Sequence, residues 1–140
     1  MKKKKKNRAL LFKALLVIYV VCVAYLCFAK FDGDDNLPKL IFGIEKDKVE
    51  HFFMFLPFPI LFFLSFKNVS RKMGKAIAWA LNTFAIGALF AASTEIIQHF
   101  IPYRQGDMHD FIADILALGI ACVITLVLNI HFTLKKRDKK

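Results

Sequence analysis

The sequence reads as all-α: a four-helix transmembrane bundle with both termini cytoplasmic. Three observations carry that expectation. Of 140 residues, 57% are apolar and 14% aromatic, with only 6 Gly and 4 Pro. The apolar residues gather into four long runs. The charges, a formal +10, are sorted between the segments that separate those runs. Disorder and collagen-like repeats are excluded by this composition, and the length suits one domain.

The first run, Ala9 to Ala29, is 21 residues long with one charge, Lys13. A helix needs roughly 20 apolar residues to cross the hydrocarbon core, so helix one is expected over about 9–29. Its basic start fits a signal peptide, but the apolar stretch is too long and Cys27-Phe28-Ala29 is a poor cleavage site. An uncleaved anchor is expected. The second run, Phe52 to Phe66, has 15 residues and spans only if its polar first turn sits at the interface, giving helix two over about 48–66. Pro57 and Pro59 should kink it or open its hydrogen-bond ladder. Ala76 to Ile101 (helix three, about 76–101) carries one acid, Glu95; Phe111 to Leu134 (helix four, about 110–134) carries one, Asp114. The four helices make up a transmembrane domain over 9–134, joined by brief loops, with a basic N-terminal segment 1–8 and a basic tail 135–140. Asn82 and Thr83 read as interhelical hydrogen-bonding residues. Ala85, Gly87, Ala88, Ala91, Ala92 and Ser93 offer a small-residue surface for a neighbouring helix. Cys22, Cys27 and Cys122 lie in apolar runs and read as packing residues without a disulfide.

Charge sets the orientation. Sixteen of the 21 Lys and Arg residues lie before or just inside helix one (Lys2 to Lys6, Arg8, Lys13), between helices two and three (Lys67, Arg71, Lys72, Lys75) or in the tail (Lys135, Lys136, Arg137, Lys139, Lys140). Ten of the 11 acids, all but Asp138, lie on the other side with Lys30, Lys39, Lys46, Lys48 and Arg104. The positive-inside rule then places both termini in the cytoplasm. The Lys run near the N-terminus fits contact with anionic lipid, not nucleic acid.

Ionisable groups inside or at the ends of spans are costly and mark function by default. They collect at the outward ends of three helices: Asp47, Lys48, Glu50 and His51; Glu95, Gln98 and His99; Arg104, Asp107, His109, Asp110 and Asp114. Asp47 and His51 share a helix face, as do Glu95, Gln98 and His99, and Asp107, Asp110 and Asp114 form a stripe if helix four starts early. Lipid cannot solvate them, so they are expected to line one outer polar pocket between helices two, three and four. Six acids against Lys48 and Arg104 leave it a formal −4, which calls for protonated acids, a charged histidine or a bound cation. The bland reading has Arg104 stapling the loop to Asp107 or Asp110, Asp110 as the N-cap of helix four, and Glu95 and Gln98 as interhelical glue.

Three of these segments carry a resemblance. Asp47-Lys48-Val49-Glu50-His51-Phe52 matches D-K-x-x-H-F, Glu95-Ile96-Ile97-Gln98 matches E-x-x-Q, and Arg104-Gln105-Gly106-Asp107-Met108-His109-Asp110 matches R-x-G-D-x-x-D. In this order the chain resembles the VanZ-like family of small bacterial integral membrane proteins, over roughly Asp47 to Gly119. The family usually has Asn where this chain has Asp114. The resemblance implies association with the cell envelope and a link to glycopeptide (teicoplanin-like) susceptibility and antibiotic resistance, without a settled reaction.

Two functions compete, with a weaker third. The first is a binding protein whose outer pocket (Asp47, Lys48, His51, Glu95, Gln98, Arg104, Asp107, Asp110, Asp114) takes a lipid headgroup or glycopeptide-like ligand among membrane lipids. The second is a membrane enzyme on a lipid-linked phosphate. There Arg104 and Lys48 hold the phosphate, His51 is the acid or base and Asp107 or Asp110 orients it, with a divalent metal on the carboxylates as a variant. The third, an ion or proton carrier using Glu95 and Asp114, lacks groups along the full depth of the membrane. No CxxC or paired His/Cys zinc spacing occurs, so the sequence by itself names no metal ligand, cofactor or catalytic residue.

Overall fold

The computed structural model describes residues 2–30, 40–41, 43–66, 72–104 and 106–137. Lys39, Lys67, Arg71, Gln105, Asp138, Lys139 and Lys140 lie outside the described residues. The elements are α1 (Lys2–Phe28), β1 (Leu40–Ile41), β2 (Ile44–Glu45), α2 (Lys46–Phe55), α3 (Pro57–Phe66), α4 (Met73–His99) and α5 (Met108–Arg137). Four stretches are long and apolar enough to cross a membrane: Asn7–Phe28, Lys46–Phe66, Met73–His99 and Met108–His131. The fold is a four-span helical bundle.

The differences from expectation have local causes. Helix one begins at Lys2, well before Ala9, because Lys and Arg propagate a helix nearly as well as Ala. The ladder of the second span is opened at Leu56, as the two prolines led one to expect, although Leu56 itself keeps helical angles (φ −55°, ψ −41°). Pro57 and Pro59 have no N–H to give back, so α2 closes with the Leu56 N–H on Phe52 O (3.1 Å) and α3 restarts at Pro57. The connection ahead of α2 contains an antiparallel hairpin, with Leu40 opposite Glu45 and Ile41 opposite Ile44. Gly43 turns it at φ 81°, a left-handed value that only glycine adopts without strain.

Helix α5 is the hub: it packs on α2, α3 and α4, while α1 lies along α3 and touches α4. The core joins Val23, Cys27, Phe55, Phe58, Ala91 and Leu118. Lipid is as apolar as these side chains, so close packing holds the helices together, not transfer from water. Gly87 shows how close: a Cβ there would lie 2.7 Å from Leu118 Cδ2 and 3.1 Å from Phe58 Cδ1. Of the small-residue surface on α4, Gly87 and Ala91 are buried, whereas Ala85 and Ser93 are exposed. Polar groups bridge helices as well. Ser65 Oγ shares its proton between Phe12 O (2.9 Å) and Leu61 O (2.7 Å), and the Tyr19 hydroxyl donates to Met54 O. Thr83 is turned inward but donates to Trp79 O of its own helix, and Asn82 is exposed, so neither is seen bridging helices as expected. Cys27 and Cys122 are buried and reduced; Cys22 is exposed on α1 and takes no part in the core. Outward-facing Leu10, Val17, Leu81, Leu89, Leu116 and Val127 are all more than half exposed, a surface suited to acyl chains and not to water.

Candidate functional site

One end of the bundle gathers the C-termini of α1 and α4 and the N-termini of α2 and α5. The centre is His51, 2% exposed in the second turn of α2. Its Nδ1 lies 3.2 Å from Asp114 Oδ1 and 3.5 Å from Glu95 Oε1. Asp114 is fully buried two turns into α5, where no N-capping role reaches it. Because α2 places Asp47 one turn before His51, that acid returns to the same histidine from the exposed side. Asp47, His51 and Asp110 each offer a ligand atom within 4.8 Å of the others, and so do His51, Glu95 and Asp114. Among the described residues, these five side chains are the ones that could hold a metal ion. Two of their oxygens, Glu95 Oε1 and Asp110 Oδ1, are buried without a hydrogen-bond partner.

The tight link between α4 and α5 makes this convergence possible. A Cβ on Gly106 would stand 2.6 Å from Glu95 O and 3.3 Å from His99 N, so only a glycine lets the loop lie on the end of α4. The next N–H, that of Asp107, then reaches Glu95 Oε2 at 3.0 Å and fixes that carboxylate. Asp107, not Asp110, is the N-cap of α5: its Oδ1 accepts from the His109 N–H at 2.9 Å. The reason is the early start of the helix at Met108. The His109 N–H, then the His109 ring at 3.0 Å, hold the Asp107 carboxyl below the usual range, with Lys48 Nζ 3.6 Å away assisting. Lys48 also pairs with Glu45.

Other expected pocket residues point elsewhere. Gln98 Nε2 donates to Cys27 O (3.0 Å), and Arg104 Nη2 donates to Leu26 O (3.1 Å) and Ala29 O (3.0 Å). They cap the C-terminus of α1, whose last carbonyls have no helical partner. Tyr103, which the sequence reading passed over, does the same for Phe28 O at 3.3 Å. The end of α1 is therefore part of the site's wall, which three helices alone were expected to form. Glu50 is exposed and pairs with Lys46 at 3.3 Å, and His99 is exposed beside Phe100. The charge that matters is thus four carboxylates around one imidazole. Beside them runs a groove of about 280 Å³. Ala92, Ile96, Met108 and Phe111 form its apolar walls, and Glu95 and Asp107 stand at its head. Glu95 belongs to both the groove and the buried centre.

Fold and site together define a multi-pass membrane protein with a carboxylate–histidine centre buried at one end of its bundle. The chain belongs to the VanZ/LLP1 family, whose profile matches residues 16–129. It is 30% identical over 126 residues to an uncharacterised protein of Schizosaccharomyces pombe, covering 90% of this chain and 67% of that one. No solved structure matches it.

Proposed function

We propose that the protein is a cell-envelope binding protein of the bacterial inner membrane, with both termini cytoplasmic, that takes up an amphiphile at its outward end. The groove accepts the apolar part; the His51 centre and Asp107 meet the polar head. A lipid headgroup or a glycopeptide of the teicoplanin kind is the ligand class, and altered glycopeptide susceptibility and antibiotic resistance are the expected consequences. One observation carries the reading. Glu95 joins an open apolar groove to a buried polar centre, the pairing of apolar walls with few convergent polar groups that binding sites favour.

The test is binding by purified protein in nanodiscs of defined lipid, with a fluorescent glycopeptide as the second probe. Ala92→Phe, which fills the groove, should abolish uptake of both while the bundle stays folded by circular dichroism. Unchanged uptake of both would overturn the reading.

A second reading, an enzyme on a lipid-linked phosphate, draws on one contact. Asp114 orients the His51 ring through Nδ1, which leaves Nε2 for proton transfer. Arg104 and Lys48 were its phosphate holders, and the structure engages them with α1 carbonyls and with Glu45 and Asp107. Turnover of polyprenyl phosphates decides between the two.

A further inference from the structure

We propose that His51, Glu95, Asp114 and Asp110 form a divalent-cation site, with Asp47 closing it from the exposed side. The inference deepens the binding reading and rests on it, because a cation is what lets an acid-lined site hold an anionic headgroup.

Four features point to an ion. First, the spacing fits. The His51 Nδ1 to Asp114 Oδ1 and Glu95 Oε1 separations, 3.2 and 3.5 Å, are those of adjacent ligands around an ion held roughly 2.0–2.2 Å from each. Second, the charge is one that a divalent ion would balance. Asp110 and Asp114 are 3% and 0% exposed, and a single histidine proton offsets one carboxylate of four. Third, Asp110, almost wholly buried, keeps Oδ1 without a hydrogen-bond partner, and Glu95 Oε1, buried and also without a hydrogen bond, faces the His51 ring at 3.5 Å. Buried acceptors are rarely left so, and each of the two overlapping triplets contains one of them. Fourth, the other Glu95 oxygen is already fixed by the Asp107 N–H, as an outer-shell partner fixes a metal ligand. One imidazole nitrogen among carboxylate oxygens, with no thiolate in the set, suits Zn²⁺ or Mn²⁺ better than the all-oxygen preference of Ca²⁺ or Mg²⁺.

The experiment uses the full chain in nanodiscs of zwitterionic lipid, stripped with chelator and dialysed against Zn²⁺ or Mn²⁺. Metal content is read by mass spectrometry and affinity by calorimetry. At least one ion per chain is expected, with affinity falling about tenfold or more in Asp110→Asn and Asp114→Asn, and unchanged in Glu50→Gln, which sits outside the centre. Less than one ion per chain, or equal retention by all variants, overturns the inference. Should the aspartate variants fail to fold, Co²⁺ loaded into the unaltered protein decides: visible bands of a histidine-ligated ion support the site and their absence overturns it. Binding of phosphatidic acid is then measured with and without chelator. Headgroup binding indifferent to chelator overturns the cation's part and leaves the binding reading standing. Tight metal with no headgroup binding supports the cation site and overturns that reading instead.

Discussion

Asp107 performs three tasks, two through its carboxylate and one through its main-chain N–H. It caps α5, it pairs with Lys48, and its N–H orders Glu95. Removing the side chain in Asp107→Ala should cost about 1 kcal/mol at neutral pH, the usual worth of an N-cap. The pH dependence has a definite sign. The folded pKa lies below the unfolded value of about 3.9, so the stabilisation is complete above that value and fades as pH falls through the folded one. Thermal unfolding in detergent should therefore show wild type and Asp107→Ala converging below pH about 4 and parting above it. A difference that stays constant down to pH about 2 would remove the ionised cap from the argument. Its neighbour acts through space alone. In Gly106→Ala the new methyl meets the main-chain oxygen of Glu95, which cannot rotate away. A loss of about 1–3 kcal/mol is expected, typical of overpacking. Loss of the Asp107 N–H to Glu95 bond should accompany it, read as faster amide exchange at that position.

Among elements, the C-terminus of α1 depends on side chains from elsewhere in the chain. Ala29 and Lys30 supply no glycine cap, and the carbonyls of Leu26, Cys27, Phe28 and Ala29 are met by Arg104, Gln98 and Tyr103. Arg104→Ala should loosen this end of α1 without disturbing the α4–α5 pairing. Hydrogen exchange checks it: faster exchange confined to the end of α1 is expected, and Arg104→Lys should restore little, because one ammonium lacks the guanidinium's fork. Uniform change across all helices would instead make Arg104 a general stability residue. This is also where sequence reading reached its limit. Asp47, His51, Glu95, Asp110 and Asp114 were legible, because helical spacing and the cost of burying charge in lipid leave them few places to go. Gln98 and Arg104 carried the same signal yet turn to main-chain oxygens, which have no signature in a sequence. The acidic stripe of Asp107, Asp110 and Asp114 required an early start of helix four, and the helix does start early, at Met108, but its first residue falls after Asp107, which becomes the N-cap. The hairpin escaped because two strands of two residues are too short to alternate.

For the whole molecule, the consequential fact is that polar groups are sorted along the length of the bundle. The centre sits at the end shared by the start of α2 and the start of α5, while Lys72 and Lys75 stand at the opposite end, at the start of α4. In the orientation proposed from charge bias, that basic end faces the cytoplasm and the acid–histidine centre faces the outside, where an envelope ligand would arrive. The assignment is open to a direct measurement. Single cysteines at Glu50→Cys and Lys72→Cys, both exposed positions, are offered a membrane-impermeant thiol reagent in intact cells. The native cysteines lie within the spans and serve as the background in the unaltered protein. Glu50→Cys should react at once and Lys72→Cys only after permeabilisation. The reverse pattern would turn the centre towards the cytosol, and its ligand would then have to be sought among inner-leaflet headgroups, not among envelope-active glycopeptides.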